Sequence, residues 1–132
     1  MKRTIQVIRI LVRIIGVTQL ILGGLFWTGN ALALIPIHML VGLLLTLALW
    51  VLSFLAARAG VNLGLVLLAV LWGVLLPVFG MTQMEMLPGD AHWVIQVLHL
   101  LMGIAGLGLA ERLASAIMPP EGSREPAAQP VG

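Results

Sequence analysis

Apolar residues run along this chain in four long blocks separated by short polar segments. The blocks cover about residues 5–27, 31–57, 61–79 and 92–110. Each is close to the ~20 residues that carry an α-helix across the hydrocarbon of a bilayer. A lone strand would leave its backbone N–H and C=O groups without partners in lipid, so helix is the only practical choice. The pattern predicts an all-α fold, a four-helix transmembrane bundle running up-down-up-down. Asn30 and Asp90 stand where N-caps of the second and fourth helices are expected. Gly60 is placed to end the second helix, and Pro88-Gly89 marks a turn before the fourth. Pro36 falls within the first two turns of the second helix, where a missing N–H costs less than in the interior.

Composition points the same way. The chain has 132 residues, of which 61% are hydrophobic and 9% charged, and its mean hydropathy is +1.12. A soluble domain carries about 25% charged residues, so this chain lacks the charge to cover a water-facing surface. Its partner is a lipid bilayer. The length suits one membrane domain, residues 1–113, and residues 114–132 read as a disordered cytoplasmic tail rich in Pro, Gly, Ser and charge. There is no cysteine, which excludes disulfides, iron–sulfur clusters, thiolate metal sites and covalent c-type haem attachment. The net charge of +2 comes from scattered residues with no basic patch that would suggest nucleic acid.

Those charges are topology signals instead. Lys2, Arg3, Arg9 and Arg13 precede or open the first block, Arg58 follows the second and Arg112 the fourth. The 28–34 and 81–91 segments hold no Lys or Arg, and the second carries Glu85 and Asp90. The positive-inside rule then predicts that both termini are cytoplasmic. The expected location is a bacterial-type inner membrane, crossed several times. Lys2, Arg3, an apolar run and Ala31-Leu32-Ala33 imitate a cleavable signal peptide. Arg9 and Arg13 extend the basic flank far into the segment, however, and three further spans follow, so an uncleaved first helix is the simpler reading.

Two histidines lie inside the apolar blocks, each followed four residues later by glycine. They are His38-Met39-Leu40-Val41-Gly42 and His99-Leu100-Leu101-Met102-Gly103. Polar side chains at membrane depth are costly and by default suggest function. His38 is eight residues after Asn30 and His99 nine after Asp90. At 1.5 Å per residue both are expected roughly 12–14 Å below the outer helix ends. In an up-down-up-down bundle the second and fourth helices are diagonal, at roughly 11–14 Å for neighbours packed at 8–10 Å. That separation suits two imidazoles serving as axial ligands of one b-type haem. Gly42 and Gly103 share a helix face with the histidines, where a missing side chain leaves space for a flat macrocycle or lets helices approach closely. Offset by 61 residues, the two segments form a faint local repeat.

Other polar residues carry weaker signals. His92, Gln96 and His99 form one stripe at i, i+4 and i+7. Gln96 is placed to bond a ligand or another helix, and His92, near the outer interface, to be solvated or to meet a haem propionate. Gln19 predicts an interhelical hydrogen bond, and Thr46 and Ser53 predict bonds to their own helix backbone. Trp27 and Trp93 fit interfacial anchors, with Trp50 and Trp72 deeper.

With His38, His99, their glycines and four spans with cytoplasmic ends, the chain resembles small four-helix transmembrane b-type cytochromes over about residues 5–112. The resemblance is one of architecture. It implies one haem b per chain, held by His38 and His99, and an electron-transfer role rather than a stand-alone enzyme. A quinone or a periplasmic redox protein would be the redox partner, and the oligomeric state is left open. Two other readings compete. One is a cofactor-free accessory or structural membrane subunit in which the histidines are hydrogen-bonded core residues. The other is a small transporter or metal-ion carrier. Against the carrier stand the lack of any carboxylate between Ile5 and Met84 and the poverty of a two-ligand metal site.

Overall fold

The computed structural model describes residues 2–118. It is all-helical: α1 (Lys2–Trp27), α2 (Ile35–Arg58), α3 (Leu63–Thr82) and α4 (His92–Ile117), with 3-10 turns at Leu32–Leu34 and Gln83–Glu85. All four helices are long and apolar enough to cross a membrane, so this is a multi-pass membrane protein by length and composition. Large apolar side chains stay exposed along every helix, among them Ile14 and Ile21, Leu47 and Phe54, Leu67 and Leu71, and Leu101 and Ile104. Outward-facing apolar surface of this extent suits lipid.

The helix ends show where local chemistry acts. After α2, Gly60 adopts φ +75°. Its N–H bonds to Ala57 O at 3.1 Å, and Val61 N–H to Ala56 O at 3.0 Å. This paired closure needs a left-handed residue, which glycine takes at no steric cost. The expected N-caps are not used. Asn30 spends its side chain on Thr28, donating to Oγ1 at 2.9 Å, and α2 begins five residues later behind the 3-10 turn. Asp90 stands one residue before Ala91, the N-cap of α4, which has no side-chain cap bond. The side-chain cap is Asn62, which accepts from Leu65 N–H at 3.2 Å at the start of α3.

The far end of α4 also differs from expectation. Helix continues to Ile117, so residues 114–117 do not belong to a tail. Leu113 and Ala114 are fully buried, and Glu111 is bonded to α1, so packing extends the helix. The remainder of the expected tail, residues 119–132, lies outside the described residues.

The helices pack as a rhombus. Each helix contacts its sequence neighbours, α1 contacts α4, and α2 and α4 also approach within 8 Å between Cα atoms, whereas α1 and α3 do not. The expected 11–14 Å diagonal is therefore a direct contact on one diagonal. The core explains it: Leu45, Leu49, Leu52 and Ala56 of α2 pack with Ala110, Leu113 and Ala114 of α4, Val66 and Ala69 of α3, and Ile5 and Val12 of α1. Alanines at these positions bring backbones together, as membrane interfaces favour. The fully buried residues of α2 begin only at Leu45, and those of α4, apart from Ile95, at Gly106. Tight packing is thus concentrated in one half of the molecule.

Tryptophan closes two seams between helices. The Trp50 indole lies against Gly73 and donates to Val70 O at 3.2 Å, joining α2 to α3. Trp72 donates to Met102 O at 2.9 Å, joining α3 to α4. An indole N–H without a partner in lipid would cost several kcal/mol.

Gly73→Leu should force Trp50 out of its seat and cost about 1–3 kcal/mol through overpacking. Gly24, with nothing within 4 Å of an added Cβ, should accept Ala with unchanged or slightly raised stability. Thermal unfolding in detergent checks both, and equal midpoints for the two variants would contradict the packing described.

Candidate functional site

The two intramembrane histidines meet. The ring centroids of His38 and His99 lie 6.3 Å apart, with the planes tilted by 53°. They do so although their helix starts are staggered. His38 is three residues into α2 and His99 seven into α4, so equal spacing from the expected caps does not describe their depth. The 3-10 turn at Leu32–Leu34, which contacts both α1 and α2, sets where α2 begins.

Aromatic rings hold the pair from the flanks. Phe26, at the end of α1, meets the His38 ring edge-on at 5.3 Å. Phe79, late in α3, stacks on His99 at 6.0 Å with planes only 8° apart. Gly80 makes room beside them, since a Cβ there would stand 3.0 Å from His99 Cε1. These contacts restrict both imidazoles to defined orientations. Phe26, Phe79 and Gly80 were not singled out by sequence reasoning. A usable signal was present: the chain has three phenylalanines, and two of them lie within a few residues of the helix ends that adjoin the histidine segments.

The glycines behind the histidines differ in role. Nothing lies within 4 Å of a Cβ added at Gly103, so the space one turn beyond His99 is open. Gly42 instead seats Gln19, whose Nε2 would be 2.9 Å from an added Cβ. Close approach of α1 to α2, rather than open space, is what Gly42 provides. Of the other candidates, His92 faces the loop before α4, with Nδ1 3.1 Å from Met86 O. A proton on Nδ1 lets the ring donate to that carbonyl, and the bond ties the loop to α4. Gln96 is half-buried on α4, one turn from His99.

Hydrogen bonding separates this region from the rest of the bundle. Gln19 Oε1, His38 Nδ1, Thr46 Oγ1 and His99 Nδ1 are all buried without a partner. Ser53 bonds to Leu49 O at 2.8 Å as expected, but Thr46 makes no such bond, and Gln19 Oε1 lacks the interhelical partner expected of it. His38, Gly42 and Thr46 recur at i, i+4 and i+8 along one face of α2, and Gln19 lies against the middle one. The unpartnered atoms therefore line a common side of α2 and continue to His99.

The 6.3 Å between the ring centroids is the feature of the pair that bears on a shared metal ion. A metal–imidazole bond is about 2.0–2.1 Å, so two rings on opposite sides of one ion stand with centres about 6 Å apart. No group of three or more His, Cys, Asp or Glu side chains is placed to share a metal among the described residues. Any ion held here must bring its remaining ligands with it.

Comparison with protein-family models, curated proteins and solved structures finds no match for this chain.

A buried, unpartnered imidazole nitrogen costs stability, by about 1–3 kcal/mol for a typical unsatisfied polar group. His38→Leu and His99→Leu should accordingly leave protein purified without cofactor equally stable or more stable. His92→Leu should lower stability by removing the bond to Met86 O. Unfolding midpoints in a detergent titration check the contrast, and strong destabilisation by both intramembrane substitutions would mean that the histidines are satisfied core residues.

Proposed function

We propose that this protein is a membrane b-type cytochrome that holds one haem b between α2 and α4 through His38 and His99. The observation that carries the reading is the pair of imidazoles whose ring centroids lie 6.3 Å apart, with no group of three or more His, Cys, Asp or Glu side chains placed to share a metal among the described residues. Two protein ligands suit a group that supplies its own equatorial donors, as a porphyrin does. The absence of cysteine from the chain restricts attachment to non-covalent binding. When bound, the haem would be held by His38 and His99 and would supply one-electron chemistry between ferric and ferrous iron.

The chain's own residues do the rest. Phe26 and Phe79 orient the two imidazoles and keep water from them. Gly103 leaves room one turn from His99. The apolar walls disfavour added positive charge, which raises the reduction potential. The chain is read as up-down-up-down with both termini cytoplasmic. Contacts of Phe26 with His38 and Phe79 with His99 at one end of the bundle, and of Arg9 and Arg13 with Glu111 at the other, support the up-down order, and the placing of the basic residues supports the cytoplasmic ends. The pair then lies nearer the outer face of a bacterial-type inner membrane, and a quinone or a periplasmic redox protein is the partner. The function is electron transfer rather than stand-alone catalysis.

A specific observation favours a second reading, a cofactor-free accessory subunit. The direct approach of α2 to α4 and the stacking of Phe79 on His99 also make a closed aromatic core. A metal-ion carrier fits less well, because Glu111 is bonded to two arginines and, among the described residues, no third His, Cys, Asp or Glu joins the histidine pair.

Purified protein supplied with haem should show a low-spin b-type spectrum at one haem per chain. His38→Ala and His99→Ala should each abolish it, His92→Ala should retain it, and Gly103→Leu should hinder haem uptake while the helices still insert. A colourless protein that ignores added haem would sink the cytochrome reading in favour of the accessory subunit.

A reporter fused at Gly132 should be active only in the cytoplasm; periplasmic activity would invert the orientation and place the histidine pair nearer the cytoplasmic face.

A further inference from the structure

At the opposite end of the molecule from the histidines, α1 carries a groove of about 540 Å³ lined by Arg3, Gln6, Val7, Arg9, Ile10 and Arg13. These positions recur at helical spacing and share one side of α1. The groove combines three guanidinium groups with two exposed apolar side chains, Val7 and Ile10. One carboxylate answers the three cations. Glu111 of α4 accepts from Arg9 Nε at 2.6 Å, and from Arg13 Nε at 2.7 Å and Nη2 at 3.0 Å. Arg3 is exposed and has no ion pair among the described residues. Among the described residues, two positive charges are therefore left without a carboxylate partner. Arg9 and Arg13 each keep further N–H donors after bonding Glu111, because a guanidinium carries five.

We propose that this groove binds the phosphodiester headgroup of an anionic glycerophospholipid, with its acyl chains lying along Val7 and Ile10. Charge complementarity selects the phosphate, and Arg is the side chain best shaped for it. Position selects the lipid. At 1.5 Å per residue the 26 residues of α1 span about 39 Å, which exceeds a hydrocarbon core of about 30 Å. The first turns of α1 therefore stand at headgroup level, with Trp27 at the far interface. Arg13 lies deeper and reaches the same level by extending along the helix. Glu111 gives Arg9 and Arg13 a fixed geometry, so the site differs from a loose cluster of flexible cations. The inference is independent of whether the histidines hold a haem.

The full-length protein in mixed nanodiscs of phosphatidylglycerol and phosphatidylcholine, followed by lipid extraction or native mass spectrometry, tests the proposal. Phosphatidylglycerol should be retained over phosphatidylcholine. Arg3→Gln, at an exposed position with no ion pair among the described residues, should reduce that retention about fivefold, whereas Arg58→Gln, at the end of α2, should leave it unchanged. Glu111→Gln should keep or increase retention although it loosens α1 against α4. Equal losses in the Arg3 and Arg58 variants would reduce the effect to general surface charge and overturn the site. Glycerol phosphate displacing the lipid at comparable concentration would show that the apolar half of the groove contributes nothing, and would overturn the lipid assignment.

Discussion

Hydrocarbon contains no water to satisfy a polar group, so each donor and acceptor inside the bundle needs a partner within the protein. Most of this structure follows from that constraint. Thr18 and Thr82 bond back to Ile14 O and Val78 O, Ser53 bonds to Leu49 O, and Trp50 and Trp72 reach across to carbonyls of neighbouring helices. Glu111 enters α4 only in company with two arginines of α1. Against this background four buried side-chain atoms without partners stand out among the described residues, and two of them belong to the paired histidines. Satisfied polar groups elsewhere make their concentration along one side of α2 informative.

The bundle divides its work between two ends. One is closed by small residues, with Ala56, Ala69, Ala110 and Ala114 fully buried and the α2–α4 diagonal in contact. It is locked further by the Arg9–Glu111–Arg13 cluster. The other end has few fully buried side chains on α2 or α4, and its interior is made of imidazole and phenyl rings. A rigid half supports a less densely filled half, which is an arrangement suited to placing ligand side chains from two separate helices. Rings stacked edge-on and face-on define imidazole orientation without hydrogen bonds, leaving the nitrogens for another role.

The two candidate sites draw on different physics. The histidine pair depends on side chains 61 residues apart in sequence arriving within one ligand's width of each other. The basic groove depends on a single helix, whose spacing alone aligns Arg3, Gln6, Arg9 and Arg13, and on one carboxylate from α4 that orders half of it. The first is tertiary in origin and the second mostly local.

That difference also separates what the sequence determined from what tertiary structure decided. Four apolar blocks of bilayer length were readable as four spanning helices, because backbone satisfaction in lipid allows little else. Gly60 as a helix stop was readable as well, since a left-handed closing residue is a local demand. His38 and His99 were recognisable as a pair from the glycine that follows each by four residues and from the cost of an imidazole at that depth, although the equal spacing from the expected caps did not hold. The helix start at Ile35 escaped the sequence, because Asn30 turned to Thr28 and packing, rather than capping, placed α2; the start of α4 at His92 was readable, although Asp90 does not cap it. The continuation of α4 to Ile117 escaped for the same reason: only the buried face of Leu113 and Ala114 and the partners of Glu111 decide it. Whether a glycine opens space or seats a neighbour is likewise unreadable from the chain, since Gly103 and Gly42 occupy equivalent places in a local repeat. What surrounds each glycine depends on a third helix, and only the folded bundle brings Gln19 to one and nothing to the other.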